Sequence, residues 1–377
     1  MRVLWIAPYP FENSSHSAPW VTELAKLISP HCKLTILTLS NGQLLEGIKT
    51  DTFSVEVLDT HTKKIDLITF NLLKIIKLKA WLRKNSHRFD LVHIHGTEHQ
   101  YEYACFNGNL PFVTSVQGLL HKYWRVLPNS LLSQKYQWRL NALFELNGIK
   151  RTNQFICRTH WDKSAVLGAN KNALIYLGWE AIRKEFFTNE PVNYAKNSNI
   201  FFIGGLNPIK GLRETLLALR QSSFKEKLLV AGGGNHEELN SIIRQTLKTI
   251  EDLPFSVTFL GKLNATQIVR HMQSSRFMIH PSYIDNSPNS ICEAQVLGLP
   301  VIASNVGGVS SLIEQGRTGV LVPLNIDELS KTIDRVLKND QLVKTISEVG
   351  KKMARDRHKP EAITKTYLNI YKSLIKQ

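Results

Sequence analysis

Short apolar, β-rich runs alternate with segments of helical spacing along most of this chain, and that alternation constrains its fold more than any other feature. In the first half, Arg2–Ala7 is an apolar run stopped by Pro8 and Pro10. Pro19–Ile28 carries Trp20, Leu24, Leu27 and Ile28 at helical spacing, and Lys33–Leu39, Leu91–His95 and Pro111–Val116 read as strands. The second half repeats the pattern more cleanly. Strands are predicted at Asn199–Ile203, Lys227–Val230, Ser256–Leu260, Phe277–His280 and Val301–Ala303. Helices are predicted at Gly211–Gln221, Glu237–Glu251, Ala265–Ser274, Ser290–Leu297 and Ile326–Leu337. Strands joined through helices require right-handed crossovers and a parallel sheet. The expected architecture is α/β, with two doubly wound domains facing a cleft. The polar stretch TNEPVNYAKNSN (Thr188–Asn199) reads as the linker, so the expected domains are 1–187 and 188–358. Residues 359–377 form a terminal amphipathic helix, with Ile363, Tyr367, Ile370, Tyr371 and Ile375 on one face, which suits closure over either domain, a crossing back to the first included.

Composition narrows the class. The chain has 377 residues, is 43% hydrophobic and 21% charged, and carries a formal net charge of +16. That excludes disorder, collagen and coiled coil as the main class, and the length favours two domains. Cys32, Cys105, Cys157 and Cys292 are scattered without a CxxC pair, which indicates neither a disulfide framework nor a zinc site. No apolar run approaches the ~18–20 residues needed to span a bilayer. The opening apolar run is too short for a signal-peptide core. A cytoplasmic protein, peripheral at the inner face of the cell membrane, is expected. The basic charge calls for an anionic partner.

The segment that carries chemistry is residues 281–323, PSYIDNSPNSICEAQVLGLPVIASNVGGVSSLIEQGRTGVLVP. Asp285 and Glu293 are separated by seven residues. Asp285 lies in a Ser/Asn/Pro loop (Asn286, Ser287, Pro288, Asn289, Ser290) after a strand, and Glu293 is expected in the first turn of the next helix, where the dipole favours a carboxylate. Two acceptors for hydroxyls beside free helix amides, which are donors for phosphate, describe a sugar-nucleotide site. Gly298 ends that helix, Pro300 opens a strand, and Gly307-Gly308 permits a second close backbone approach. Taken alone, Asp285 would more often be an N-cap, and Lys210 a surface lysine.

This stretch resembles the C-terminal signature of the family 4 retaining glycosyltransferases, which have the GT-B fold of two Rossmann-like domains. Their pattern is Glu, seven residues, Glu, then a Gly-x-Pro-Val-hydrophobic-Ala strand and a Gly-Gly loop. Here Asp285 stands for the first Glu, followed by Glu293, Gly298, Pro300, Val301, Ala303, Gly307 and Gly308. The resemblance implies that Glu293 binds ribose hydroxyls and that Asp285, shorter by a methylene, binds hydroxyls of the donated sugar. A second match, IGGLNPIKG at Ile203–Gly211, is similar to the family's Gly-Arg-x-x-Pro-x-Lys-Gly, whose Arg and Lys grip the donor diphosphate. Lys210 matches the Lys, Gly204 precedes the motif's Arg position, and Gly205 occupies it. Gly233, in the run Gly232-Gly233-Gly234, is a further donor-site candidate, or simply a strand-to-helix turn.

The first half matches more loosely. Ser17-Ala18 stands roughly where the family has a Gly-Gly pair. Gln117 of Ser115-Val116-Gln117-Gly118 replaces a His close to the transferred sugar, and His95 and Glu98 of HIHGTEH end another strand. Ser17, His95, Glu98 and Gln117 are the acceptor-side candidates.

The resemblance implies sugar transfer with retention from a nucleotide-diphosphate donor, UDP- or GDP-linked, to a growing surface polysaccharide or lipid-linked oligosaccharide. Asp285, Lys210 and Glu293 would carry catalysis, with no cofactor and no metal. The burden lies in stabilising the leaving diphosphate and the oxocarbenium-like sugar. The rival readings are a GT-B sugar-nucleotide epimerase and a degenerate sugar-nucleotide-binding protein. Two basic stretches, Lys63–Arg88 with an expected amphipathic helix (Leu72, Leu73, Ile75, Ile76, Leu78, Leu82) and His121–Leu140 with Tyr123, Trp124, Tyr136 and Trp138, suit an anionic membrane surface. The alternative is a solvated helix packed on its sheet. Nucleic acid is set aside as a partner because no reader motif is present.

Overall fold

The computed structural model describes residues 1–11, 18–40, 47–60, 71–192, 194, 196–247 and 253–376. Ser17, Lys63, Lys64 and the end of the helix expected to reach Glu251 lie outside the described residues. The chain divides into two compact units: 1–125, 133–181 and 359–377 form unit 1, and 126–132 and 182–358 form unit 2.

Unit 1 holds an eight-stranded sheet of β1 (Arg2–Ile6), β2 (Lys33–Ser40), β3 (Ile48–Lys49), β4 (Phe53–Asp59), β5 (Leu91–His95), β6 (Phe112–Ser115), β7 (Gln154–Cys157) and β8 (Leu174–Leu177). The order is β3-β4-β2-β1-β5-β6-β7-β8, parallel throughout except for the short antiparallel β3. β1 is fully buried from Val3 to Ile6, as a strand covered by helices on both faces must be. β3, β4, β7 and β8 were not expected from the sequence. β7 and β8 are four-residue runs, too short to show a period.

The terminal helix Pro360–Ile375 packs within unit 1. Ile363, Tyr367, Ile370, Tyr371 and Leu374 join one core cluster with Val3, Trp5, Val21 and Leu24. Leu374, not Ile375, completes the buried face; Ile375 is exposed.

Unit 2 holds a six-stranded, all-parallel sheet: β9 (Asn199–Ile203), β10 (Lys227–Ala231), β11 (Ser256–Gly261), β12 (Ser275–His280), β13 (Val301–Ser304) and β14 (Val320–Val322). The order is β11-β10-β9-β12-β13-β14. Counted within the unit this is 3-2-1-4-5-6, the dinucleotide-binding order, with its topological switch between β9 and β12. The loops leaving the carboxyl ends of those two strands are where such a sheet binds ligand. The division between units falls at Ala181/Ile182 rather than at 187/188. Its reason is the 3-10 turn Lys184–Phe187, which buries Phe186 completely and packs on the helices Ala265–Gln273 and Asn289–Leu297.

The basic helix of unit 1 departs from expectation. Leu72–Asn85 buries Leu78 and Leu82 but also Lys74, whose ammonium lies 5.5 Å from the Tyr101 ring centroid, while Leu72 and Ile76 are more than half exposed. Its apolar residues therefore do not share one face. The segment His121–Leu140 divides as well. His121 is buried against Glu145 (Nδ1 to Oε2, 2.8 Å), Arg125 and Arg139 cover Trp124, and Tyr136 and Leu132 are exposed. Among the described residues no helix is long and apolar enough to cross a membrane.

Candidate functional site

The loop after β9 turns through Pro208–Lys210, where the Asn207 side chain accepts from the Ile209 amide (3.1 Å). That capped turn presents Lys210 at the sheet's carboxyl edge. The loop after β12 is tied to it by the Tyr283 amide donating to the Ile209 carbonyl (2.9 Å). The tie brings together two side chains that lie far apart in sequence: Lys210 Nζ donates to Asp285 Oδ2 at 2.6 Å. His280 Nε2 lies 3.2 Å from the same oxygen and 3.0 Å from Ser282 Oγ.

Burial would raise the Asp285 carboxyl. The Lys210 charge and the His280 hydrogen bond outweigh burial and hold it well below the ordinary range. The His280 imidazole is lowered by burial, with Asp285 partly offsetting the effect. Asp285 is thus a charged acceptor at neutral pH, and Lys210 is the more exposed member of the pair.

The Gly307-Gly308 pair serves this loop directly. The Gly308 amide donates to the Asp285 carbonyl (3.0 Å), and a Cβ on Gly307 would lie 2.0 Å from that carbonyl oxygen. The close approach made possible here is to the Asp285 backbone.

Asn286 and Ser287 are buried in the same loop, and Pro288 precedes the helix Asn289–Leu297 without a side-chain cap. Asn289 and Ser290 therefore begin the helix with their amides uncapped by any side chain among the described residues. Glu293 does not sit in the first turn as expected: that turn has no acidic residue, and the helix starts one residue earlier than predicted. One turn in, the dipole weakens as a reason for a buried carboxylate. The reason present is Arg183, whose Nε donates to Glu293 Oε1 at 2.7 Å.

Gly205 has φ +60, and a Cβ there would lie 2.3 Å from the Gly233 carbonyl oxygen. The amides of Gly204 and Gly205 donate to the Ala231 carbonyl (3.1 and 2.9 Å), and Leu206 donates to Gly233 (2.9 Å). These bonds stitch the β9 and β10 loops together, with Gly204 backing onto the Lys210 side chain. An arginine at 205 would collide with that seam. Arg213 does not take its place at Lys210: it is largely exposed and pairs with Glu214 at 3.2 Å.

In unit 1 the carboxyl ends of β5 and β6 gather His95, Glu98 and Gln117. His95 is buried with neither ring nitrogen bonded, between His93 (3.9 Å between centroids) and Trp20 (5.5 Å). Burial and the Arg158 charge push it down to about 3. The Glu98 carboxylate accepts from the Gly118 amide, and burial together with Glu145 pushes it up to about 7. The Gln117 carbonyl accepts from Arg158 (2.7 Å), which pairs with buried Glu180 at 2.6 Å. His93 is a packing residue: it bonds Tyr371 Oη (2.7 Å) and Ser115 Oγ (2.6 Å).

Arg183, His280, Arg158 and Glu145 were not singled out from the sequence. His280 had a signal, as the last residue of the strand before Asp285. Arg183 had none, because it stands in a turn that the sequence assigned to the other domain.

Residues 183–353 match glycosyl transferases group 1. The chain is 24% identical over 300 residues to an uncharacterized glycosyltransferase of Methanocaldococcus jannaschii, covering 78% of each. It is 22% identical over 381 residues to the uncharacterized glycosyltransferase YqgM of Bacillus subtilis, covering 99% of this chain and 98% of that protein. The capsular polysaccharide biosynthesis glycosyltransferase CapM of Staphylococcus aureus is 23% identical over 185 residues, 48% of this chain and 47% of its own. Among solved structures, sucrose-phosphate synthase from Thermosynechococcus elongatus superposes with TM-score 0.83 at 16% identity, covering 100% and 99% of the two chains. HepE of Anabaena in complex with UDP and glucose gives 0.76 at 19%, covering 99% and 100%. WaaG, a glycosyltransferase involved in lipopolysaccharide biosynthesis, gives 0.72 at 15%, covering 98% and 99%. The chain therefore has the GT-B fold, and its residues 183–353 are similar to the glycosyl transferases group 1 family.

Proposed function

We propose that this protein is a retaining glycosyltransferase of the family 4 type, moving a sugar from a nucleotide diphosphate to a saccharide of a surface polysaccharide or a lipid-linked oligosaccharide. The observation that carries the reading is the Lys210–Asp285 pair at the switch point of unit 2, beside an uncapped helix start and the buried carboxylate Glu293. A diphosphate needs fixed positive charge and amide donors, and Lys210 with the helix start supplies both. Sugar and ribose hydroxyls need acceptors, and Asp285 and Glu293 are ones. In the ground state Lys210 is shared with Asp285. As the glycosidic bond breaks, charge grows on the diphosphate, and an ammonium already in place stabilises it without reorganisation. The incoming hydroxyl attacks from the face the leaving group departs, and a donor phosphate oxygen takes its proton.

UDP is the first donor nucleotide to test, since HepE is described with UDP and glucose. The polysaccharide acceptor class follows CapM and WaaG. Exposed Tyr136, with Lys135 and Arg139 close to it in sequence, suits contact with an anionic lipid surface. Incubation with a panel of UDP-, GDP- and ADP-sugars, read by nucleotide release, tests the reaction. Binding no tighter than millimolar for every donor, with Glu293→Ala leaving any turnover unchanged, refutes it. Sedimentation with liposomes should depend on their anionic lipid content.

A further inference from the structure

The guanidinium of Arg183 is held on two sides. Its central carbon lies over the ring of Phe186 (4.9 Å to the centroid), and Phe186 is fully buried in the turn Lys184–Phe187 docked on the helix that bears Glu293. In front of it, Nε reaches Glu293 Oε1 at 2.7 Å, with the two side chains only 18% and 5% exposed. The contact is made through Nε alone. The two terminal nitrogens make no hydrogen bond or ion pair with another described residue. A guanidinium fixed in this way carries four further N–H bonds in a rigid plane directly beside a carboxylate.

A donor plane next to an acceptor pair is the complement of a vicinal diol. Each hydroxyl gives one proton and accepts one, so each can donate to a carboxylate oxygen and accept from a guanidinium nitrogen. A carboxylate alone satisfies only the donating half. We propose that Arg183 is a specificity-determining residue of the donor site, which together with Glu293 reads the cis-diol of the donor ribose. This rests on the reading of Glu293 as the ribose ligand and adds to it. Arg183 orients the carboxylate, keeps a compensating charge beside it in a buried place, and supplies the hydrogen-bond donors that a deoxyribose cannot use.

Calorimetric titration of the full chain with UDP, 2′-deoxy-UDP and UMP, and with GDP and 2′-deoxy-GDP, tests this. The wild type should prefer the ribonucleotide by about tenfold or more. Arg183→Gln should reduce that preference to about twofold or less, while the ratio of UDP to UMP affinity stays within about twofold of wild type; its melting temperature should fall, because buried Glu293 loses its charge partner. Arg183→Lys retains the charge but not the planar donors. It should restore stability and leave the preference reduced, so it carries the test if Arg183→Gln does not fold. An unchanged ribose preference in both variants overturns the proposal. So does an equal loss for ribo- and deoxynucleotide accompanied by a fallen UDP-to-UMP ratio, which makes Arg183 a phosphate ligand. A wild type that binds none of these nucleotides overturns the donor-site reading itself.

Discussion

Lys210 Nζ and Asp285 Oδ2 stand 2.6 Å apart at the ends of two adjacent parallel strands, although 75 positions separate them in the chain. Lys210 helps hold Asp285 ionised, and each side chain fixes the other's position. Lys210→Ala should lower kcat by roughly 10²–10³, because it removes the charge that meets the departing diphosphate. Asp285→Asn should act mainly on kcat as well, by leaving the sugar hydroxyls and the lysine misplaced. Since the two side chains form one unit, the double variant should be less impaired than the product of the single effects. Nucleotide release under saturating donor measures all three, and strict multiplicativity would separate their roles.

Gly205 tempts a repair of the motif. Its φ of +60 forbids it, as does the 2.3 Å that would separate an added Cβ from the Gly233 carbonyl oxygen. Gly205→Ala should cost more than about 2 kcal/mol of stability through strain and displacement of the β9–β10 seam. Gly205→Arg should be worse and should not raise donor affinity. Thermal unfolding of the two variants checks the order, and a stable Gly205→Arg with tighter UDP binding would contradict it.

Much of the site was legible in the sequence, for a physical reason. Asp285, Glu293, Gly307 and Lys210 all follow buried strands whose apolar runs are easily read, so their place at the carboxyl edge follows from the topology. The partners of these residues were not legible. Arg183 meets Glu293 from 110 positions away, and His280 meets Asp285 only because the loop folds back. The place of Glu293 was misjudged by one residue, enough to take it out of the first turn, because the Pro288 that precedes the helix carries no capping side chain to mark it. On Leu72–Asn85, apolar count stood in for apolar face. The burial of Lys74 and the exposure of Leu72 and Ile76 show that tertiary packing chose a different side.

Glu102 makes unit 1 lose stability as pH rises from about 4.5 to about 8. It is buried on the short helix Glu102–Cys105, neither carboxylate oxygen has a hydrogen-bond partner among the described residues, and Gly148 leaves room for it where a Cβ would lie 2.0 Å from Oε1. Burial first, then the charges of Glu145 and Glu98, push it up to about 8. Below about pH 4.5 it is protonated whether the chain is folded or not, and it costs nothing. As pH rises the unfolded chain ionises while the folded one keeps its proton, so stability falls until about pH 8. Glu98, raised to about 7, adds to the same decline. The melting temperature should therefore drop between pH 5 and 8, and Glu102→Gln should flatten the upper part of that drop. A steeper decline in the variant would count against the assignment.

Tyr371 fastens the terminal helix to the sheet of unit 1. Its hydroxyl accepts from Trp5 Nε1 (3.0 Å) and bonds His93 Nδ1 (2.7 Å), and His93 passes the chain on to Ser115 (2.6 Å). All of these groups are buried, so Tyr371→Phe leaves an indole N–H and an imidazole nitrogen unsatisfied. The expected cost is about 1–3 kcal/mol. Removing residues 359–377 also strips Ile363, Tyr367, Ile370 and Leu374 from the core cluster they share with Trp5 and Leu24. At about 1.5–3 kcal/mol for each large apolar side chain, that loss is about 6–12 kcal/mol, as large as the stability of an ordinary domain, and unit 1 should not fold without the helix. Limited proteolysis of the truncated chain should then degrade residues of the first sheet while fragments spanning 182–358 persist. Survival of an intact first unit would show that the helix is an accessory to this core and not part of it.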